Sequence, residues 1–69
     1  MNKFSIRLKE LREEKKLSQA ELGRVLGYTQ TGIAKWESGA RTPSVDAIIA
    51  IAKYFEVTTD YLLGVNNIV

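Results

Sequence analysis

The sequence predicts an all-α fold of five short helices. Apolar residues recur at helical spacing in segment after segment, and Gly or Pro punctuates the chain between those segments. No stretch alternates with period two for long enough to make a strand.

The first helix is expected over roughly Ser5 to Lys15, with Phe4, Leu8 and Leu11 on one side. The second opens at Ser18-Gln19-Ala20-Glu21, a capping box in which the Ser18 hydroxyl accepts from the Glu21 amide while the Glu21 carboxylate reaches back. It turns Leu22, Val25 and Leu26 inward and stops at Gly27, a residue suited to a left-handed terminus. Thr29 is placed to cap the third helix, which ends at Gly39. The fourth follows Thr42-Pro43-Ser44, and Val45, Ile48, Ile49, Ala52 and Phe55 predict one continuous buried stripe. The fifth takes Thr58 as its cap and carries Tyr61, Leu62 and Leu63 before Gly64.

Composition narrows the function classes. A chain of 69 residues reads as one small domain, residues 1–69, with no linker or internal repeat. Such a chain buries only about 60% of its unfolded surface, so it leans on efficient helix packing or a partner subunit. It has no cysteine and no histidine. That excludes a disulfide framework, thiolate metal sites and nucleophile–histidine pairs, so no metal, cofactor or enzymatic activity is expected. Glu10, Glu13 and Glu14 interleave with basic residues and read as a solvated face, not as paired catalytic carboxylates. Met1-Asn2-Lys3-Phe4 leads into a charged segment without a signal-peptide core, and the longest apolar run, Ala47 to Ala52, falls far short of the ~20 residues of a membrane span. A cytoplasmic location follows as the expectation, with no membrane partner and no second domain to house an effector.

Charge is uneven along the chain. Residues 1–41 hold nine Lys and Arg against five Glu, a net of +4, whereas residues 42–69 hold Lys53 against Asp46, Glu56 and Asp60, a net of −2. A basic front half suits a polyanion on one side of the molecule.

The most informative stretch is Gln19 to Ser38. Its two short helices are joined by Gly27-Tyr28-Thr29, too tight for an antiparallel hairpin and suited to a sharp crossing. Gly23 sits in mid-helix, where glycine costs about 1 kcal/mol relative to alanine, and close approach of the next helix would explain it. On a wheel of about 100° per residue, Ile33 and Trp36 share one side of the third helix. Gln30, Thr31, Ala34, Lys35 and Ser38 occupy the other. Amide, hydroxyl and ammonium groups around a small centre can read base edges from the major groove of duplex DNA.

Ser18-Gln19-Ala20-Glu21-Leu22, Leu26-Gly27, Ile33-Ala34-Lys35-Trp36-Glu37-Ser38-Gly39, Pro43-Ser44 and the closing Phe55 to Gly64 together resemble the Cro/repressor (Xre-type) helix-turn-helix family. The likeness runs from about Leu8 to Leu63. It implies a compact five-helix bundle of the phage-repressor DNA-binding type, with the helix-turn-helix at residues 19–38. In that family the second motif helix enters the major groove and the first lies across the backbone. Base reading would then fall to Gln30, Thr31, Ala34 and Lys35. Phosphate contact would fall to Gln19, Ser38, Ala40, Arg41 and Thr42, helped by the free amides at the start of the first motif helix. The resemblance also implies a structural ion pair between Arg12 and Glu37. Gly32 and Ala40 depart from the family pattern, each removing one polar or basic contact.

The implied activity is a sequence-specific DNA-binding regulator, most simply a repressor, whose partners are double-stranded DNA and a second copy of itself. Family members pair across half-sites about 34 Å apart. Tyr61, Leu62, Val65, Ile68 and Val69 crowd the end of the chain and are the expected dimer contact. The alternative within the same fold is an antitoxin or anti-repressor acting through a protein partner.

Overall fold

In a computed structural model describing residues 2–69, the chain forms α1 (Lys3–Glu14), α2 (Gln19–Leu26), α3 (Gln30–Ser38), α4 (Val45–Phe55) and α5 (Thr59–Leu63), with no strand among the described residues. Each start is capped as the local sequence dictates. The Ser18 Oγ accepts from Glu21 N at 3.0 Å, and Ser18 N donates to Glu21 Oε1 at 2.8 Å, so both halves of the capping box are made. Thr29, Ser44 and Thr58 accept from the amide three residues on. Gly27, Gly39 and Gly64 end their helices at φ 82°, 81° and 83°, a region where a side chain would be strained.

The first helix begins earlier than its apolar spacing suggested. Asn2 caps it, Oδ1 accepting from Ser5 N at 2.9 Å, and the helix starts at Lys3 and closes at Glu14. Its exit turns through Lys16 at φ 58°, and α4 exits through Glu56 at φ 57°. Neither position advertises itself, because both residues carry side chains in a region that glycine normally fills.

The core gathers Phe4 and Leu8 of α1, Leu22 of α2, Ile33 and Trp36 of α3, Ala47, Ile51, Ala52 and Phe55 of α4, and Leu62 of α5. The stripe expected on α4 is rotated. Val45 is 71% exposed and Ile49 41%, while Ala47 and Ile51 are fully buried. Val45-Asp46-Ala47-Ile48-Ile49-Ala50-Ile51-Ala52 is apolar almost all round, so spacing alone left two overlapping faces to choose from. Packing against α2 and α5 chose the face through 47, 51 and 55. Val25, expected inward, is also half exposed, and α2 anchors through Leu22 with Leu26 partly covered.

α2 and α3 pack extensively against each other. Gly23 permits it, because a Cβ there would lie 2.7 Å from Tyr28 O and 3.1 Å from the Thr29 carbonyl carbon. The close neighbour is thus the turn backbone leading into α3, not the body of that helix.

Candidate nucleic-acid interface

α3 is held from behind. Ile33 and Trp36 are buried, and Trp36 meets Tyr28 edge-on at 4.9 Å between ring centroids. The Ser5 hydroxyl, itself buried, donates to Trp36 O at 2.6 Å and pins α1 to the last turn of α3. With that side fixed, Gln30, Thr31, Lys35 and Ser38 stand exposed on the other and Ala34 lies partly covered between them. This is the face the wheel laid out.

A second brace joins α1, α2 and α3. Arg12 Nε donates to Glu37 Oε2 at 2.7 Å and Nη2 to Glu37 Oε1 at 3.0 Å, a two-point pairing at 11% and 5% side-chain exposure. Nη1 of Arg12 donates to Leu17 O at 2.8 Å. The hydrogen bond to Glu37 raises the Arg12 pKa above its ordinary value, outweighing the opposing effect of burial, with the charges of Glu37 and Glu13 adding to it. The guanidinium therefore stays charged wherever the fold exists. Gln19 Nε2 completes the group by donating to Glu37 Oε1 at 3.1 Å, so the first residue of α2 is fixed to α3. Sequence reasoning placed Gln19 at the backbone of the DNA but missed this bond, which depends on how α2 folds against α3.

Between these elements a notch of about 310 Å³ opens, lined by Lys9, Arg12, Gln19, Ala34, Glu37 and Ser38. The loop after α3 is ordered by its own polar groups. Ser38 Oγ donates to Lys35 O at 3.1 Å and accepts from Ala40 N at 3.3 Å, while Arg41 N donates to Lys35 O at 3.3 Å. The Ala40 amide, expected to meet a phosphate, is thus bonded within the loop. The side chain of Arg41 is exposed. Thr42 borders a different groove, shared with Asn2, Phe4, Pro43, Ile48 and Leu63.

The expected dimer contact divides. Leu62 is 0% exposed and belongs to the core, because α5 turns it under the bundle, and it is removed from that set. Tyr61 is partly covered, its ring 4.1 Å from the Arg7 guanidinium. Val65, Ile68 and Val69 remain 70%, 74% and 65% exposed. Arg7, which the sequence did not single out, ties the tail to α1. It donates to Tyr61 O, to Asn66 O at 2.8 Å and to Asn67 Oδ1 at 2.6 Å. Thr58 Oγ1 adds a bond to Ile68 O at 3.2 Å. No described helix is long and apolar enough to cross a membrane.

Comparison with known proteins agrees with this geometry. The Helix-turn-helix family model matches residues 8–62. The HTH-type transcriptional activator BcrR of Enterococcus faecalis is 41% identical over 61 residues, which are 88% of this chain and 30% of the relative. The crystal structure of the P22 c2 repressor in complex with a synthetic operator superposes with a TM-score of 0.86 at 27% identity, covering 96% of this chain and 100% of that one. The restriction-modification controller protein C.AhdI from Aeromonas hydrophila superposes with a TM-score of 0.78 at 33% identity, covering 87% of this chain and 91% of that one. The chain spans 30% and 52% of the length of two of the curated relatives it matches.

Proposed function

Because the chain belongs to the Cro/repressor (Xre-type) helix-turn-helix family, we propose that it is a sequence-specific DNA-binding transcription regulator acting as a repressor on a two-fold operator. The observation that carries the reading is α3 itself. Ile33 and Trp36 are buried behind it, the Arg12–Glu37 pair braces it, and Gln30, Thr31, Ala34, Lys35 and Ser38 form its outer face. In this reading α3 lies in the major groove, Gln30, Thr31 and Lys35 bond to base edges, and Ala34 lets the backbone come close. Arg41 and Thr42 meet the backbone beside it, and Ser38 joins them by turning its hydroxyl from Lys35 O to a phosphate oxygen. α2 lies across the phosphates with Gln19 at its leading end.

The domain presents one such helix, whereas a two-fold operator offers two half-sites about 34 Å apart. A second copy therefore supplies the second helix. Val65, Ile68 and Val69, with Tyr61 at their edge, are the contact we assign to it, and the acidic bias of residues 42–69 suits a surface turned from phosphate.

Sedimentation of a labelled duplex, recovered by selection from a random pool, tests both halves of the proposal. If a dimer neutralises on the order of six phosphates, log affinity falls against log salt with a slope of about −5, and two chains load per duplex. No binding at low salt would defeat the DNA reading and favour a protein-partner role. A single chain per duplex at high micromolar protein would defeat the dimer.

A further inference from the structure

Lys9 stands in α1, outside the helix-turn-helix, yet it lines the same notch as Ala34 and Ser38 of the outer face of α3. Two of the charged groups in that notch cancel, because Arg12 and Glu37 are paired at 2.7 Å. Lys9 is exposed and makes no ion pair among the described residues, so it sets the sign of the notch. Gln19 and Ser38 add an amide and a hydroxyl to the rim but no charge. Within the lining no carboxylate is left unpaired and Lys9 is the unpaired charge, while Glu13, whose charge reaches Arg12, stands outside it.

Its position matters as much as its sign. On the helix wheel Ala34 and Ser38 lie toward the Glu37 edge of the outer face, while Thr31 and Lys35 lie toward the far edge. α1 packs against α3, and the notch opens between the two. A helix lying in the major groove is flanked on each edge by a sugar–phosphate strand. With α3 in the groove, the notch would lie along the edge next to one of those strands.

We propose that Lys9 is a phosphate-binding residue, so that α1 adds a backbone contact of its own and the DNA interface spans three helices instead of two. The assignment rests on the DNA-binding reading above. It makes the contact sequence-independent, because a phosphate carries no base identity.

The test is titration of a selected and a random labelled duplex at several salt concentrations with the wild-type chain, Lys9→Gln and Lys9→Arg. Lys9→Gln weakens both duplexes alike, about five- to tenfold per protomer near ~0.1 M salt, and makes the salt slope shallower by about 0.9 per protomer. Lys9→Arg keeps the charge and restores both. The exposed position leaves the thermal melts of both variants at the wild-type value. Unchanged affinity and slope for Lys9→Gln, in a wild-type chain that binds, overturns this proposal and leaves the DNA reading standing. A loss confined to the selected duplex overturns it too, since that would be base contact. A wild-type chain that binds neither duplex overturns both.

Discussion

Glu37 is a carboxylate with 5% of its side chain exposed, tolerated because three donor atoms converge on it, two from Arg12 and one from Gln19. Removing one partner of such a pair leaves the other charge uncompensated in a poorly solvated place, at a cost of about 3–5 kcal/mol, whereas replacing both by apolar residues is often close to neutral. Arg12→Met and Glu37→Met alone are therefore each expected to lower stability by about that amount, enough to unfold much of so small a domain. The double variant should be more stable than either single one. Thermal melts of the three chains check it, and additive losses below ~1 kcal/mol would mean the pair is not coupled. At this scale the sequence was partly legible. Ile33 and Trp36 announced the inner side of α3 by spacing, and the Arg12–Glu37 pair followed from family likeness. The bonds from Ser5 to Trp36 O and from Gln19 to Glu37 had no local signal, because each joins two helices and depends on how they pack.

Helix boundaries were legible where a cap or a glycine marks them, and less so elsewhere. Ser18, Thr29, Ser44 and Thr58 do what their side chains are built to do. The left-handed exits at Lys16 and Glu56 lack such markers, whereas Asn2, a good capping residue before α1, carried one that the apolar spacing overlooked. The α4 stripe was misjudged because an almost wholly apolar helix has no polar face to orient it. The capping box on α2 carries a pH signature. The Ser18 amide, then its hydroxyl, holds the Glu21 carboxyl below its ordinary pKa. A carboxyl depressed in the folded state stabilises above its unfolded pKa of about 4.3 and loses that contribution as pH falls through the lower folded value. Wild type should therefore melt above Glu21→Gln near neutral pH, with the gap closing in acid as Glu21 takes up its proton. Melts at a series of pH values from about 6 to about 2 check this. Parallel curves would show that the carboxylate charge adds nothing to the cap.

At the scale of the molecule, the five elements place a braced helix face near a net-positive front half, with an exposed apolar tail closing the chain. The α3 face was readable because one helix contains it. The tail was read only as apolar, since Arg7 of α1, more than fifty residues away in sequence, decides how it folds back. In the proposed complex the outer face of α3 reads base edges while the loop after it meets phosphate. Comparing Gln30→Ala with Arg41→Ala on selected and random duplexes separates the two roles. Gln30→Ala is expected to cost about 1–3 kcal/mol on the selected duplex, to relax the preference at one base position and to leave random duplex nearly untouched. Arg41→Ala is expected to weaken both duplexes alike and to flatten the salt slope. A Gln30→Ala chain that keeps the full sequence preference would mean that the outer face of α3 does not read the bases.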